Sequence, residues 1–330
     1  MFIRLLVILL VVVGSTSSAI AQDRNTEPNH AAAVAKRHKK KQLYDLRYKL
    51  KAGDKIDFLF EQVASTKTRM SGEAESTTSR SQTSKQWEVK NIDSLGQMTF
   101  ALKWTSVNMW QQIGDDDPIK YNSKTDTKAP EEYQAISELV GETIAVFSIT
   151  DTGVIVGRDS NLSESSFGAG EVTVPLPGKP VAIGYRWNVP TVLNATDEER
   201  KNIRLKARVS YQLSKVENNN AFISFRTEVL TPVKSEKVRS TIMQQMTDGY
   251  IVFDMQRGYP VLRNVEWDEK AQGFEGADSL LTYVGRATEK VKVSRPQTSS
   301  TIVPGLTPLV AKQPKSVDLR TRDAKPLTQK

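Results

Sequence analysis

The chain has no cysteine, and its two histidines, His30 and His38, both lie near the N-terminus. Without cysteine there is no disulfide framework, no thiolate metal site and no cysteine nucleophile. Without histidine beyond His38, Ser-His-Asp triads, Cys-His pairs and histidine-based zinc sites are excluded from the rest of the chain. There is also no Gly-x-Ser-x-Gly elbow, no Ser-x-x-Lys, no P-loop and no Gly-x-Gly-x-x-Gly. The nearest glycine cluster, Gly168-Ala-Gly170, reads as a linker. No cofactor is implied by any of this.

Long apolar runs are missing as well, with one exception. Leu5–Val13 is an apolar run of nine residues, preceded by Arg4 and followed by small residues ending in Ala19-Ile-Ala21. That is the three-part layout of a secretory signal, with cleavage expected after Ala21. Nine residues span only about 14 Å as a helix, against the roughly 30 Å of a bilayer core, so a permanent anchor is not expected. Export without disulfides suits a bacterial envelope, periplasmic or extracellular, and the missing Cys rules out a lipid anchor on that residue. Stability must then come from a hydrophobic core, which a body of this length can bury.

The net charge of +8 is unevenly spread. Residues 22–42 carry six Lys/Arg against two acids, residues 294–330 seven against two, and residues 43–293 carry 32 against 34. The basic character belongs to the ends, so nucleic-acid binding by the body is not expected. Residues 22–42, with Lys36, Arg37, Lys39, Lys40 and Lys41, read as a disordered basic linker, and 294–330 as a disordered basic Pro-rich tail. Their chemistry suits contact with an anionic envelope surface; a solubilising role is the plainer alternative.

The body alternates apolar and polar residues, the period of half-buried strands. Tyr44, Leu46, Tyr48 and Leu50 face one way; Gly53-Asp54 offers a reversal, and Ile56, Phe58 and Phe60 resume, so 48–60 reads as a first hairpin. Residues 64–86 are Ser/Thr-rich and read as solvated strand ends. Trp87 and Val89 lead through a turn at 93–96 into Met98, Phe100, Leu102 and Trp104, with a bulge near Thr105-Ser106. Pro130 to Gly141 carries the signals of one short helix. Further strands are expected over 144–149, 154–156, 203–213, 221–229, 250–255, 261–265 and 281–293.

The same order occurs twice. "KAGDKIDF" is echoed by "VAIGYRWNV", so Gly53 matches Gly184. "EVKNIDSLGQMTFALKWTSV" is echoed by "YQLSKVENNNAFISFRTEV", and "VFSITDTGVIV" by "VFDMQRGYPVL", so Gly153 matches Gly258. These matches predict two related β halves, 43–176 and 177–293, packed through their apolar faces. The predicted fold is mainly β: antiparallel sheets forming a sandwich or open barrel, with one short helix.

The signal peptide, the "Y-x-L-x-x-G-D" opening at Tyr48, the segment Leu139–Val146, the "T-D-T-G-V-I" hairpin and the "P-V-A-I-G-Y-R-W" restart resemble a family of exported bacterial proteins of unknown function, frequent in planctomycetes. The resemblance spans about 43–293. That family has no established activity, so it implies export and a β fold but no catalytic residues. The pattern is also similar in architecture to periplasmic lipoprotein carriers of open-barrel shape.

Chemistry in the body is sparse. Gly114-Asp-Asp-Asp-Pro118 has the oxygens for Ca²⁺ but no spaced set of further ligands, and reads as a solvated loop. Acids at alternate strand positions read as solvated faces, though a carboxylate pair would suffice for a glycan hydrolase. Among five tryptophans, Trp104 continues a core alternation, while Trp110, with Met109, is the candidate ligand contact. The expected function is a non-catalytic exported envelope protein binding a hydrophobic ligand, such as lipid, or an envelope partner. A structural module with a sealed core and a carboxylate hydrolase are the alternatives. Oligomeric state is not legible.

Overall fold

The computed structural model describes residues 42–160 and 173–292. The signal run, both histidines, the basic cluster Lys36–Lys41 and the C-terminal tail lie outside the described residues.

The body is one open antiparallel sheet of twelve strands. In chain order these are β1 (Lys55–Met70), β2 (Glu73–Ile92), β3 (Met98–Ile113), β4 (Ile119–Asn122), β5 (Thr143–Ile149), β6 (Ile155–Ser160), β7 (Arg186–Thr196), β8 (Asn202–Glu217), β9 (Asn220–Val229), β10 (Asp248–Asp254), β11 (Tyr259–Gln272) and β12 (Leu280–Val291). The spatial order is β6-β5-β3-β2-β1-β12-β11-β10-β9-β8-β7, with β4 beside β3. The chain thus starts in the middle, meanders to one edge, crosses to the other edge at β7, and meanders back until β12 pairs with β1.

Local chemistry sets the reversals. Ser71-Gly72 and Asn218-Asn219 both hold positive φ at both positions, as a two-residue hairpin twisting with its strands requires. The Ser/Thr-rich stretch 64–86 pairs to its tip, Met70 opposite Glu73. The β2–β3 register slips at Ser84/Lys85, leaving Thr105 unpaired, where the change of alternation predicted a bulge.

Two short helices interrupt the sheet. A 3-10 turn, Glu131–Tyr133, runs into α1, Gln134–Ser137, shorter than the helix the sequence predicts over 130–141. Tyr133 and Ile136 are buried with Val107 and Tyr121, and burial, with Glu132 adding, pushes the Tyr133 phenol up to about 12. α2, Glu236–Ile242, was not expected. Its signal is short: Ser235 accepts a hydrogen bond from Val238 N, and Val238 and Ile242 lie one turn apart on the side packed against β7 and β8. Gln245 then clasps Asn194, donating to its carbonyl at 2.7 Å and accepting from its amide at 3.0 Å.

Residues 44–50 depart from expectation. They alternate in burial, with Leu46, Tyr48 and Leu50 inside, but they do not pair with β1. They cross the inner face instead, where the main core gathers side chains from both ends of the sheet. Tyr44 pairs with Val181, Tyr48 N donates to Asp151 O at 2.7 Å, and Lys49 N donates to Gly258 O at 3.2 Å. Alternation reports which residues are buried, not which backbone they bond to.

The segments that echo each other in sequence make equivalent contacts. Gly53 N donates to Val89 O and Val89 N to Asp54 O; Gly184 N donates to Leu213 O and Leu213 N to Tyr185 O. Gly153 and Gly258, in the matching β5–β6 and β10–β11 turns, both press on residues 48–49. A Cβ on Gly153 would lie 2.5 Å from Tyr48 Cε2, and one on Gly258 2.4 Å from Lys49 N. α1 lies between β4 and β5, and α2 between β9 and β10.

Candidate functional site

The crossing from β6 to β7 brings the two sheet edges to one place. Residues 174–180, Val-Pro-Leu-Pro-Gly-Lys-Pro, form a strap between them. Three prolines remove three backbone donors and favour an extended path. Several of the remaining polar groups are tied down. Thr173 Oγ1 donates to Gly153 O at 2.7 Å, Val174 N donates to Tyr48 Oη at 2.8 Å, and Leu176 N donates to Thr152 O at 2.7 Å. Arg47 reaches Gly178 O at 2.9 Å while pairing with Asp45 and Asp151.

Beneath the strap lies a groove of about 430 Å³, within the ~300–1,000 Å³ usual for small-ligand sites. Val154, Pro175, Leu176 and Pro177 form one wall, and Tyr185, Trp187, Val189 and Pro190 the other. Trp187 is fixed at its polar end, Nε1 donating to Pro175 O at 2.8 Å. Its ring stacks between Tyr185 (6.3 Å, 21°) and Tyr211 (5.5 Å, 13°), so it is held rigid. Lys179 stands at the rim, its ammonium 5.6 Å from the Tyr185 ring. Val156, exposed two residues beyond Val154, extends the same apolar side along β6.

Two cations on the inner face are held by neighbouring side chains. Lys85 meets Glu289 at 3.0 Å with little access to water, and lies 4.3 Å from the Phe60 ring. Arg263 stacks 5.3 Å over Phe225. On β11, burial raises the Glu269 carboxyl above its usual range, with Arg239 opposing and Asp268 adding. On the outer face, hydrogen bonds from Lys290 and Gln82 hold Glu61 below that range.

The two sequence-predicted contacts part company. Met109 points inward, half-buried beside Val107 and Tyr121. Trp110 points outward, half-buried, with the Arg80 guanidinium 4.9 Å from its ring. Adjacent strand residues face opposite ways, so they cannot share a site. Trp104 is half-buried, with Val140 bridged to it. The 114–118 turn is mostly exposed, and no group of three or more His, Cys, Asp or Glu is placed to hold a metal among the described residues. Trp187 was missed. Its signal was the Tyr185–Trp187 alternation just after a Pro-rich crossing.

Among the described residues, no helix is long and apolar enough to cross a membrane. No family model matches the chain, so the planctomycete resemblance finds no support there. No curated protein matches it either. Among solved structures, the chain is similar to one titled "Lipid-protein interactions in lipovitellin", at 11% identity and a TM-score of 0.43. That match covers 74% of this chain and 25% of the other, so this chain spans about a quarter of that protein's length.

Proposed function

We propose that the protein is a non-catalytic, exported binding protein that takes a hydrophobic ligand in the groove between β7 and the 174–180 strap. The observation that carries this is the rigid aromatic wall of Tyr185 and Trp187 facing Val154 and Leu176 across a groove of small-ligand size. Desolvating such walls is favourable at roughly 25 cal/mol per Å² of apolar surface. Lys179 at the rim suits an amphiphile with an anionic head, of which lipids are one class. Contact of the basic tails with an anionic envelope surface is compatible with this reading. The equivalent Gly53/Gly184 and Gly153/Gly258 contacts support descent of the two halves from one ancestral unit.

The test is a fluorescence titration of the full chain with N-phenyl-1-naphthylamine, an uncharged apolar probe. Saturable binding is expected, weakened at least about tenfold (~1.4 kcal/mol) in Trp187→Ala and in Tyr185→Ala. Binding that both variants leave unchanged would place the probe elsewhere and end the proposal. Native mass spectrometry of protein from its own host would then identify the natural occupant.

A further inference from the structure

The outer face of the sheet carries a second pattern, independent of the groove. Cross-strand register lines up Lys120 on β4, Trp110 on β3, Arg80 on β2, Val63 on β1 and Arg286 on β12 in a single row. Cations therefore stand on every second strand, about 10 Å apart at the usual strand spacing. Between them sit one aromatic and one aliphatic side chain. Lys120, Arg80, Val63 and Arg286 are exposed; Trp110 is half-buried, its ring held by Arg80. The next row along the strands adds Asn108 and Gln82, both exposed amides, and Glu61, whose carboxylate accepts from Gln82 and is neutralised by Lys290. Acids enter the cation row only from β11, at Glu266.

We infer that this row binds an anionic glycan that carries its charge on every second sugar, lying across the strands. The cation spacing is close to the repeat of alternate sugars in an extended chain. A cation at each charged ring, an apolar side chain under each intervening ring and amides for the hydroxyl groups are the contacts such a chain requires. A lipid surface fits less well, since the row's one large apolar residue, Trp110, lies half-buried beside Arg80 and Val63 is the only exposed aliphatic in it. The row runs across five neighbouring strands, a length that suits a linear polymer rather than a small ligand.

The experiment measures binding of the full chain to a hyaluronan oligosaccharide, with neutral dextran and phosphatidylglycerol vesicles as comparisons. Hyaluronan binding is expected to fall as salt rises and to exceed dextran binding. Trp110→Ala should weaken it about tenfold (~1.4 kcal/mol), and Arg80→Gln should both weaken it and flatten its salt dependence. Arg286→Gln, remote from Trp110, should also weaken it, and keeps the test valid if Trp110→Ala loses stability. Dextran bound equally well would overturn the inference. So would affinity for hyaluronan unchanged in all three variants, which would assign binding to the basic tails. Retention on vesicles alone would overturn it in favour of a lipid surface.

Discussion

Gly258→Ala isolates the contact that organises the core. Gly258 sits in the β10–β11 turn at φ +75°, and an added Cβ would lie 2.4 Å from both the backbone nitrogen and Cβ of Lys49. The glycine also accepts a hydrogen bond from that nitrogen at 3.2 Å. Two costs follow. A left-handed conformation costs an L-residue about 1–2 kcal/mol. Displacing a packed backbone adds roughly 1–3 kcal/mol, as overpacking does. Gly96→Ala is the control, because Gly96 has φ +77° and nothing within 4 Å of the new Cβ. It should show the first cost alone. The difference in stability, from urea unfolding at 25 °C, is therefore expected to be about 1–3 kcal/mol, a large share of a typical ~5–15 kcal/mol. Gly153→Ala, which would meet Tyr48 and Val174 O at 2.5 Å, should behave like Gly258→Ala. Equal midpoints for Gly258→Ala and Gly96→Ala would show that residues 44–50 are not held against this turn, and the account of the core would fail.

Two further predictions concern the inner face. Burial raises the Glu269 pKa in the folded state above its unfolded value, so the folded protein penalises the ionised form. That penalty is absent below the unfolded value of about 4.3 and grows as pH rises through the folded one. Glu269→Gln is expected to raise the melting temperature at pH 7 and to converge with the parent near pH 4; a gap that stays constant across that range would refute the desolvation argument. Glu289→Ala strands Lys85, whose side chain is 11% exposed, and should cost toward the lower end of the ~3–5 kcal/mol typical of broken buried pairs, since Glu289 is itself 21% exposed. The double change Lys85→Met with Glu289→Leu should recover most of that loss. A double variant no more stable than Glu289→Ala would show the loss to be one of packing rather than stranded charge.

Much of the strand content was legible because it rests on local rules. Burial on one face forces alternation, so β3 could be read from Met98, Phe100 and Leu102, and a slip of phase marked the bulge at Thr105. Glycine turns such as Asp151-Thr-Gly153 punctuated the chain where the structure reverses. What could not be read was long-range. Leu46, Tyr48 and Leu50 alternate like a strand, yet the backbone of this segment bonds at Tyr44, Tyr48 and Lys49 to Val181, Asp151 and Gly258, more than a hundred residues away. α2 is too short to display a helical stripe, and its existence depends on Leu193 and Leu205 offering a surface to Val238 and Ile242. The candidate groove was illegible for the same reason. Val154 and Trp187 meet only because the two edges of the sheet converge, while Met109 and Trp110, adjacent in sequence, are parted by the thickness of the sheet.

That convergence raises a physical question: why do β6 and β7 not pair and close the sheet? The β7 edge and the strap each carry a reason. β7 has Pro190 at its middle, which lacks the donor a new ladder bond would use. The strap between the edges has prolines at 175, 177 and 180, so it cannot bridge them as another strand. It is fastened instead by isolated bonds, from Leu176 N to Thr152 O and from Trp187 Nε1 to Pro175 O. An edge kept from pairing by proline still has to cover its apolar side chains, and proline rings and tryptophan do that without satisfying a ladder. The residues that keep the sheet open are therefore the residues that line the groove. Restoring donors along the strap, as in Pro175→Ala with Pro177→Ala, is expected to tighten the seam and reduce uptake of the apolar probe; unchanged uptake would mean that the groove does not owe its opening to these prolines.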